Sequence, residues 1–293
     1  MLSRRDLLSL VPAAALLTIG GPALAAPRRV ISVGGALAEL VYALGAQAEL
    51  VGVDSTSLYP AAATKLPNVG YARTLAAEGL LSLAPTMIVA TEEAGPPAVL
   101  RQLEAAQVPL HVLRAEHRFD GVLERTRRLG DLLGRPQQAA ALSQQLQTEW
   151  TASRAQVTRL AAGHRPPRVL FVLSNAANQA RIAGAATAAD AMIGYARAVN
   201  ALGGTPGYKL LSPGAAIAAA PDVILATTQG VEASGGVDGL LQLPGLAQTP
   251  AGQHRRVLVL ETMALLGFGP RAPQALAALA RGLHAPAGTG QPA

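Results

Sequence analysis

The sequence predicts an α/β fold of two lobes with parallel sheets joined by one long helix, and three observations carry this reading. Short apolar, β-branched runs alternate with helical stretches along the chain. A segment near residue 70 returns in similar form near residue 207. One uninterrupted helical pattern lies between the two halves. Half of the 293 residues are hydrophobic while aromatics make up only 3%, a balance that favours helices and buried parallel strands over an all-β sandwich.

Residues 30–33, 50–53, 87–90 and 110–113 read as strands, with helical patterns around 36–45, 75–83, 97–106 and 119–133 between them. The alternation resumes with strands at 169–173, 223–226 and 257–260. Near-continuous apolar strands set between helices mark parallel sheets covered on both faces. The repeat opens on Gly70-Tyr71-Ala72-Arg73 and reaches Ala84-Pro85 before a strand ending in Ala90-Thr91. Its second copy opens on Gly207-Tyr208-Lys209 and reaches Ala220-Pro221 before a strand ending in Ala226-Thr227. A solenoid needs at least three repeats, so two copies half a chain apart predict two similar lobes, 26–135 and 164–284. Residues 136–163 open on Pro136 and close on Gly163, a helix start and stop. Leu142, Leu146, Trp150, Val157 and Leu160 keep helical spacing there. At 1.5 Å per residue the segment spans about 42 Å, the length of a rigid strut between lobes.

Residues 1–25 read as a signal peptide. Arg4-Arg5 gives a basic start, an apolar run covers 10–19, and Ala23-Leu24-Ala25 is a small-x-small cleavage site. The apolar run is shorter than the roughly 20 residues that span a bilayer. The expected product is a periplasmic protein cleaved near Ala25 after Sec or Tat export, the arginine pair fitting either route. The Pro/Gly/Ala-rich stretch 285–293 reads as a disordered tail.

Several chemistries are disfavoured. The chain has no cysteine, which removes disulfides, thiolate metal sites and a lipidated cysteine. A net charge of +6 is carried by only 14% charged residues, without the basic stripe and aromatic interleaving of a nucleic-acid binder. Gly34-Gly35 lacks the Gly-x-Gly-x-x-Gly spacing of a dinucleotide site and reads as a tight strand-to-helix turn. The five histidines form no His-x-x-x-His pair and read as surface or loop residues. Ser174 and Ser212 lack a nucleophile-elbow context, so an exported α/β enzyme is a weak alternative.

Gly34-Gly35-Ala36-Leu37-Ala38-Glu39, Val51-Gly52-Val53-Asp54, Leu66-Pro67-Asn68-Val69-Gly70-Tyr71-Ala72-Arg73, Leu243-Pro244-Gly245-Leu246 and Gly267-Phe268-Gly269-Pro270-Arg271 together resemble the periplasmic haemin-binding proteins of bacterial haem ABC importers. That family sits in a class that also serves cobalamin and ferric siderophores, which are the alternative ligands.

The resemblance implies two Rossmann-like lobes joined by one long rigid helix, with haem, the transported ligand, in the cleft between them. It implies that Tyr71 is the axial ligand to ferric haem iron. A phenolate is a hard oxygen donor suited to that state. A free phenol ionises near pH 10, so the iron and a nearby cation must favour the anion, and Arg73 is the expected cation or a partner for a haem propionate. The repeat places Tyr208 and Lys209 on the opposite wall, at the porphyrin edge or a propionate. Met263 and Phe268 are the expected apolar contacts, with core packing as the alternative. Asn175 stands where some relatives carry a histidine, which favours one haem held mainly by Tyr71. The resemblance further implies a monomer that docks on an inner-membrane ABC permease with its ATPase subunit. Glu78 is the first-lobe docking carboxylate. Gly214 stands at its repeat position, leaving a neighbour such as Glu232 to supply the second.

Overall fold

In the computed structural model, which describes residues 27–173 and 180–284, the chain builds two sheets and a bridging helix. The first lobe runs β1 (Val30–Val33), α1 (Gly35–Ala43), β2 (Leu50–Val53), α2 (Ala77–Leu81), β3 (Met87–Ala90), α3 (Pro97–Ala105), β4 (Leu110–Val112) and α4 (Phe119–Leu132). Next comes α5 (Pro136–Ala161). The second lobe runs β5 (Arg168–Leu173), β6 (Arg181–Ala183), α6 (Ala188–Tyr195), β7 (Val199–Asn200), β8 (Tyr208–Leu210), α7 (Pro213–Ala219), β9 (Val223–Thr227), α8 (Thr228–Ala233), α9 (Val237–Leu241), α10 (Pro250–Gln253), β10 (Val257–Leu260), α11 (Thr262–Leu266) and α12 (Ala272–His284). The expected signal peptide, the expected tail and Asn175 lie outside the described residues.

The first sheet has the order β2-β1-β3-β4 and is parallel throughout. Its strands are apolar at nearly every position because helices cover both faces. Val30, Met87 and Val89 pack on one side with Leu37, Leu40 and Leu129. Ile31, Val33, Ile88 and Ala90 pack on the other with Leu80 and Leu103.

The second sheet corrects the expectation of a purely parallel one. Its order is β10-β9-β5-β6-β8, with β7 beside β5. β10, β9 and β5 are parallel, while β5–β6 and β6–β8 are antiparallel. The strands β6, β7 and β8 were not visible in the sequence pattern. At two or three residues each they are too short for alternation to register, and tertiary pairing alone makes them strands. The second copy of the repeat therefore differs locally from the first. Tyr71 precedes a one-turn 3-10 helix, Ala72–Thr74, whereas Tyr208 opens a strand.

The long helix is present with the expected start and ends two residues before Gly163. Pro136 occupies its first turn, where the missing N–H costs nothing. Its first turns pack through Ala139 into the first-lobe core with Leu129 and Leu133. Further on, Leu146, Trp150 and Val157 enter the second-lobe core beside α12. One rigid element thus belongs to two cores. Trp150 is stacked on Phe119 of α4, rings 4.3 Å apart and 3° from parallel, and meets Tyr195 of α6 edge-on at 5.0 Å. Offset and edge-to-face aromatic pairs add to the area they bury, so this row welds α4, α5 and α6 together. Trp150→Ala is expected to cost about 3–5 kcal/mol of unfolding free energy, measured by urea denaturation followed by circular dichroism.

Candidate functional site

The carboxyl ends of the parallel strands in both sheets face a common cleft of about 490 Å³. In open α/β sheets this is where ligands bind, and the volume falls in the range of ligand pockets, roughly 300–1,000 Å³.

The loops after β1 and β2 shape the first-lobe wall. Asp54, 1% exposed, accepts hydrogen bonds from the Gly34 amide at 2.9 Å, the Thr56 hydroxyl at 2.8 Å and the Ser57 hydroxyl at 2.9 Å. Gly34 takes φ +114° and a side chain there would meet Thr91 at 2.5 Å; one at Gly35 would meet the Thr56 carbonyl oxygen at 2.4 Å. The Gly34-Gly35 pair therefore makes the tight turn that the sequence suggests.

Tyr71 and Arg73 lie on this wall. Gly70, at φ +94°, donates its amide to the Asn68 side chain at 2.8 Å, and its carbonyl accepts from Ser55 at 2.8 Å. The loop is thereby pinned and Tyr71 stands 43% exposed at the cleft. Arg73 pairs with Glu93 at 2.7 Å, both half exposed. Burial draws the Arg73 guanidinium down, but Glu93, Tyr71 and Tyr208 outweigh it and hold the group above its ordinary value.

Tyr208 faces them from the second lobe. Burial pushes its phenol up, Glu93 adds to the rise, and Arg73 opposes it. The two lobes thus bring Tyr71, Arg73, Glu93 and Tyr208 into one electrostatic neighbourhood. Lys209 lies elsewhere: it is exposed and does not line the cleft. In β8 it stands across from Ile182, whereas Tyr208 stands across from Ala183, and alternate residues of a strand point to opposite faces. Met263 and Phe268 both line the cleft, but Phe268 is only 2% exposed and is part of the second-lobe core. Glu78 is exposed in the first turn of α2 and Gly214 is exposed in the first turn of α7. Glu232 is exposed on α8.

Two arginines tie the lobes together, Arg125 at the cleft and Arg271 away from it. Arg125 of α4, 3% exposed, donates to Glu92 at 3.0 Å, to the Leu113 carbonyl at 3.1 Å and, across the lobes, to the Phe268 carbonyl at 3.2 Å. Burial draws the Arg125 guanidinium down and Glu92 pulls the other way. Burial would raise the Glu92 carboxyl, yet its backbone hydrogen bonds and Arg125 hold it below the ordinary value. Arg271 grips Glu39 of α1 through two nitrogens and reaches Glu261 at 2.8 Å. Burial pushes the Glu39 carboxyl up against the pull of Arg271. The lobes also meet through small residues: a side chain at Gly269 would lie 3.1 Å from Ala36.

Glu92, Glu93, Arg181 and His117 also line the cleft and were missed in the sequence. The glutamates follow β3 at its carboxyl end, and that position is the signal that could have found them. His117 is a loop histidine, as the sequence suggests, in a left-handed turn at φ +54° that places its ring 5.6 Å from that of Phe268 at the cleft.

The sequence profile of the periplasmic binding protein family matches residues 30–263. Among solved structures, a periplasmic haem-binding protein, RhuT of Roseiflexus sp. RS-1, is 42% identical with a TM-score of 0.84, covering 88% of this chain and 98% of that one. The haem-binding protein BhuT, solved with two haems, is 46% identical with a TM-score of 0.82 and the same coverage. A periplasmic haem-binding protein of Pseudomonas aeruginosa is 39% identical with a TM-score of 0.81, covering 88% and 93%. Among curated proteins, the vitamin B12-binding protein of Pectobacterium atrosepticum is 30% identical over 150 residues, 51% of this chain and 53% of that protein. The match thus spans about half the length of that relative.

The Glu92 carboxyl is held below its ordinary value of 4.5 in the folded chain. Its contribution is therefore complete above about pH 4.5 and is lost as the pH falls through the lower folded-state value. Glu92→Gln leaves the buried guanidinium of Arg125 uncompensated, with an expected cost of about 3 kcal/mol at pH 7. Thermal melts from pH 7 to pH 3 are expected to fall less steeply for the variant than for the wild type.

Proposed function

We propose that this chain, which belongs to the periplasmic binding protein family, captures ferric haem between its lobes through the phenolate of Tyr71 and delivers it to an inner-membrane ABC permease. One observation carries the reading: an exposed tyrosine with an arginine two residues on, held on one wall of a cleft whose other wall presents Tyr208. The family and the structural neighbours are binding proteins rather than enzymes, so capture and release without chemistry is the activity assigned. The periplasm is the compartment in which such a protein works.

A phenolate suits ferric iron because both are hard. Iron stabilises the anion directly, and Arg73, a cation throughout the physiological range, supports it from two residues away. Tyr208 and Met263 supply contact for the macrocycle, with Phe268 packed behind them in the core. Haem is held between lobes that are already locked together, so little ordering accompanies binding.

Cobalamin is the second reading, favoured by the vitamin B12-binding relatives. Those matches cover about half of each protein, whereas the haem-binding structures align over nearly their whole length, which supports haem. Docking on the permease is assigned to Glu78, at the exposed start of α2. Gly214, at the start of α7, has no carboxylate to offer, so Glu232 on α8 is the second-lobe candidate.

Adding haemin to the purified protein is expected to shift the Soret band and saturate at one equivalent. Tyr71→Ala is expected to weaken binding by more than the roughly 10–100-fold typical of removing a supporting partner. An unchanged Soret band, or a Tyr71→Ala titration equal to that of wild type, counts against the mechanism. Because ligation needs the anion, binding releases a proton, and affinity is expected to fall as the pH is lowered. Glu78→Ala is expected to reduce capture by permease-containing vesicles while leaving the haemin titration unchanged.

A further inference from the structure

The charged side chains lining the cleft are Arg73, Glu92, Glu93, Arg125 and Arg181. Four of them are paired: Arg73 with Glu93 at 2.7 Å and Arg125 with Glu92 at 3.0 Å. Arg181 is exposed and has no ionic or side-chain hydrogen-bonding partner among the described residues. Among the described residues, the positive surplus of the cleft therefore sits on this one guanidinium.

The antiparallel edge of the second sheet explains where it points. Along β6, Arg181 and Ala183 share a face, and their partners across β8 are Leu210 and Tyr208. Arg181 and Tyr208 thus line the cleft from the same side, opposite Tyr71. Ile182 and Lys209, one residue out of phase, belong to the reverse face.

We propose that Arg181 is the carboxylate-recognising residue of the cleft, taking a propionate of the porphyrin whose iron Tyr71 holds. This assignment rests on the haem reading and deepens it. Arg73 is less able to fill the role, because its charge is already offset by Glu93. A guanidinium matches a carboxylate in geometry as well as charge. It also gives the site a means of discrimination, since a corrin rim carries amides where haem carries free carboxylates.

The test is a visible titration of wild-type protein, Arg181→Ala and Arg181→Lys with two ligands, haemin and haemin dimethyl ester, which keeps the iron and loses both carboxylates. Wild type is expected to prefer haemin about fivefold, the strength of one exposed ion pair. Arg181→Ala is expected to bind the two ligands equally, and Arg181→Lys to keep part of the preference. The melting temperature of each variant shows that it is folded, and the Lys variant keeps the charge if the Ala variant is not. An Arg181→Ala protein that retains the wild-type preference overturns the assignment and leaves the haem reading standing. Wild-type protein with no Soret change for either porphyrin overturns the haem reading, and this assignment with it.

Discussion

The guanidinium of Arg125 is the fixed point of the molecule. It comes from α4, stays almost wholly out of solvent, and spends its donors on Glu92, on the end of β4 and on the carbonyl of Phe268 in the other lobe. Glu92 in turn accepts the amides of Ala115 and Glu116, each at 3.1 Å, and so shapes the turn that carries His117 into the cleft. A buried ion pair of this kind is a weak source of net stability, because desolvation offsets the Coulomb attraction. Its effect here is geometric: each of its three nitrogens has a partner, one of them in the other lobe, so the charge is satisfied by the lobes as they are placed here.

Around that point the lobes have little freedom. Arg271 repeats the arrangement from the opposite direction, a second-lobe cation held by Glu39 of α1 and stacked over the Tyr59 ring at 4.2 Å. A side chain at Gly269 would crowd Ala36 at 3.1 Å, and one at Gly267 would meet the Met263 carbonyl oxygen at 2.5 Å. The helix α5 then shares its length between two cores. A cleft made this way is formed before its ligand arrives, unlike one closed by strands that flex as a hinge.

The walls of the cleft are correspondingly economical in charge. Most of its ionic groups neutralise one another at close range, and the lower dielectric near the base strengthens those pairs. Tyr71 and Tyr208 present phenols from opposite lobes, both near Arg73. The site thus combines apolar and aromatic contact with charged groups that are mostly paired, a make-up suited to a ligand with a large apolar body and a few polar ends.

The local pattern alone determined the fully parallel first sheet, the strands β5, β9 and β10 of the second, the long helix and the tight Gly34-Gly35 turn. Each of these is written in near neighbours: apolar runs set by burial on both faces, a proline start, a glycine at positive φ. Tertiary structure alone decided the rest. The strand β6 exists because it pairs with β5 on one side and β8 on the other, and that pairing turned Lys209 away from the cleft while bringing Arg181 and Tyr208 into line. The partners Arg125 and Phe268, or Arg271 and Glu39, lie more than a hundred residues apart. No periodicity reports such contacts, because they depend on how whole elements are placed and not on the chain that leads to them.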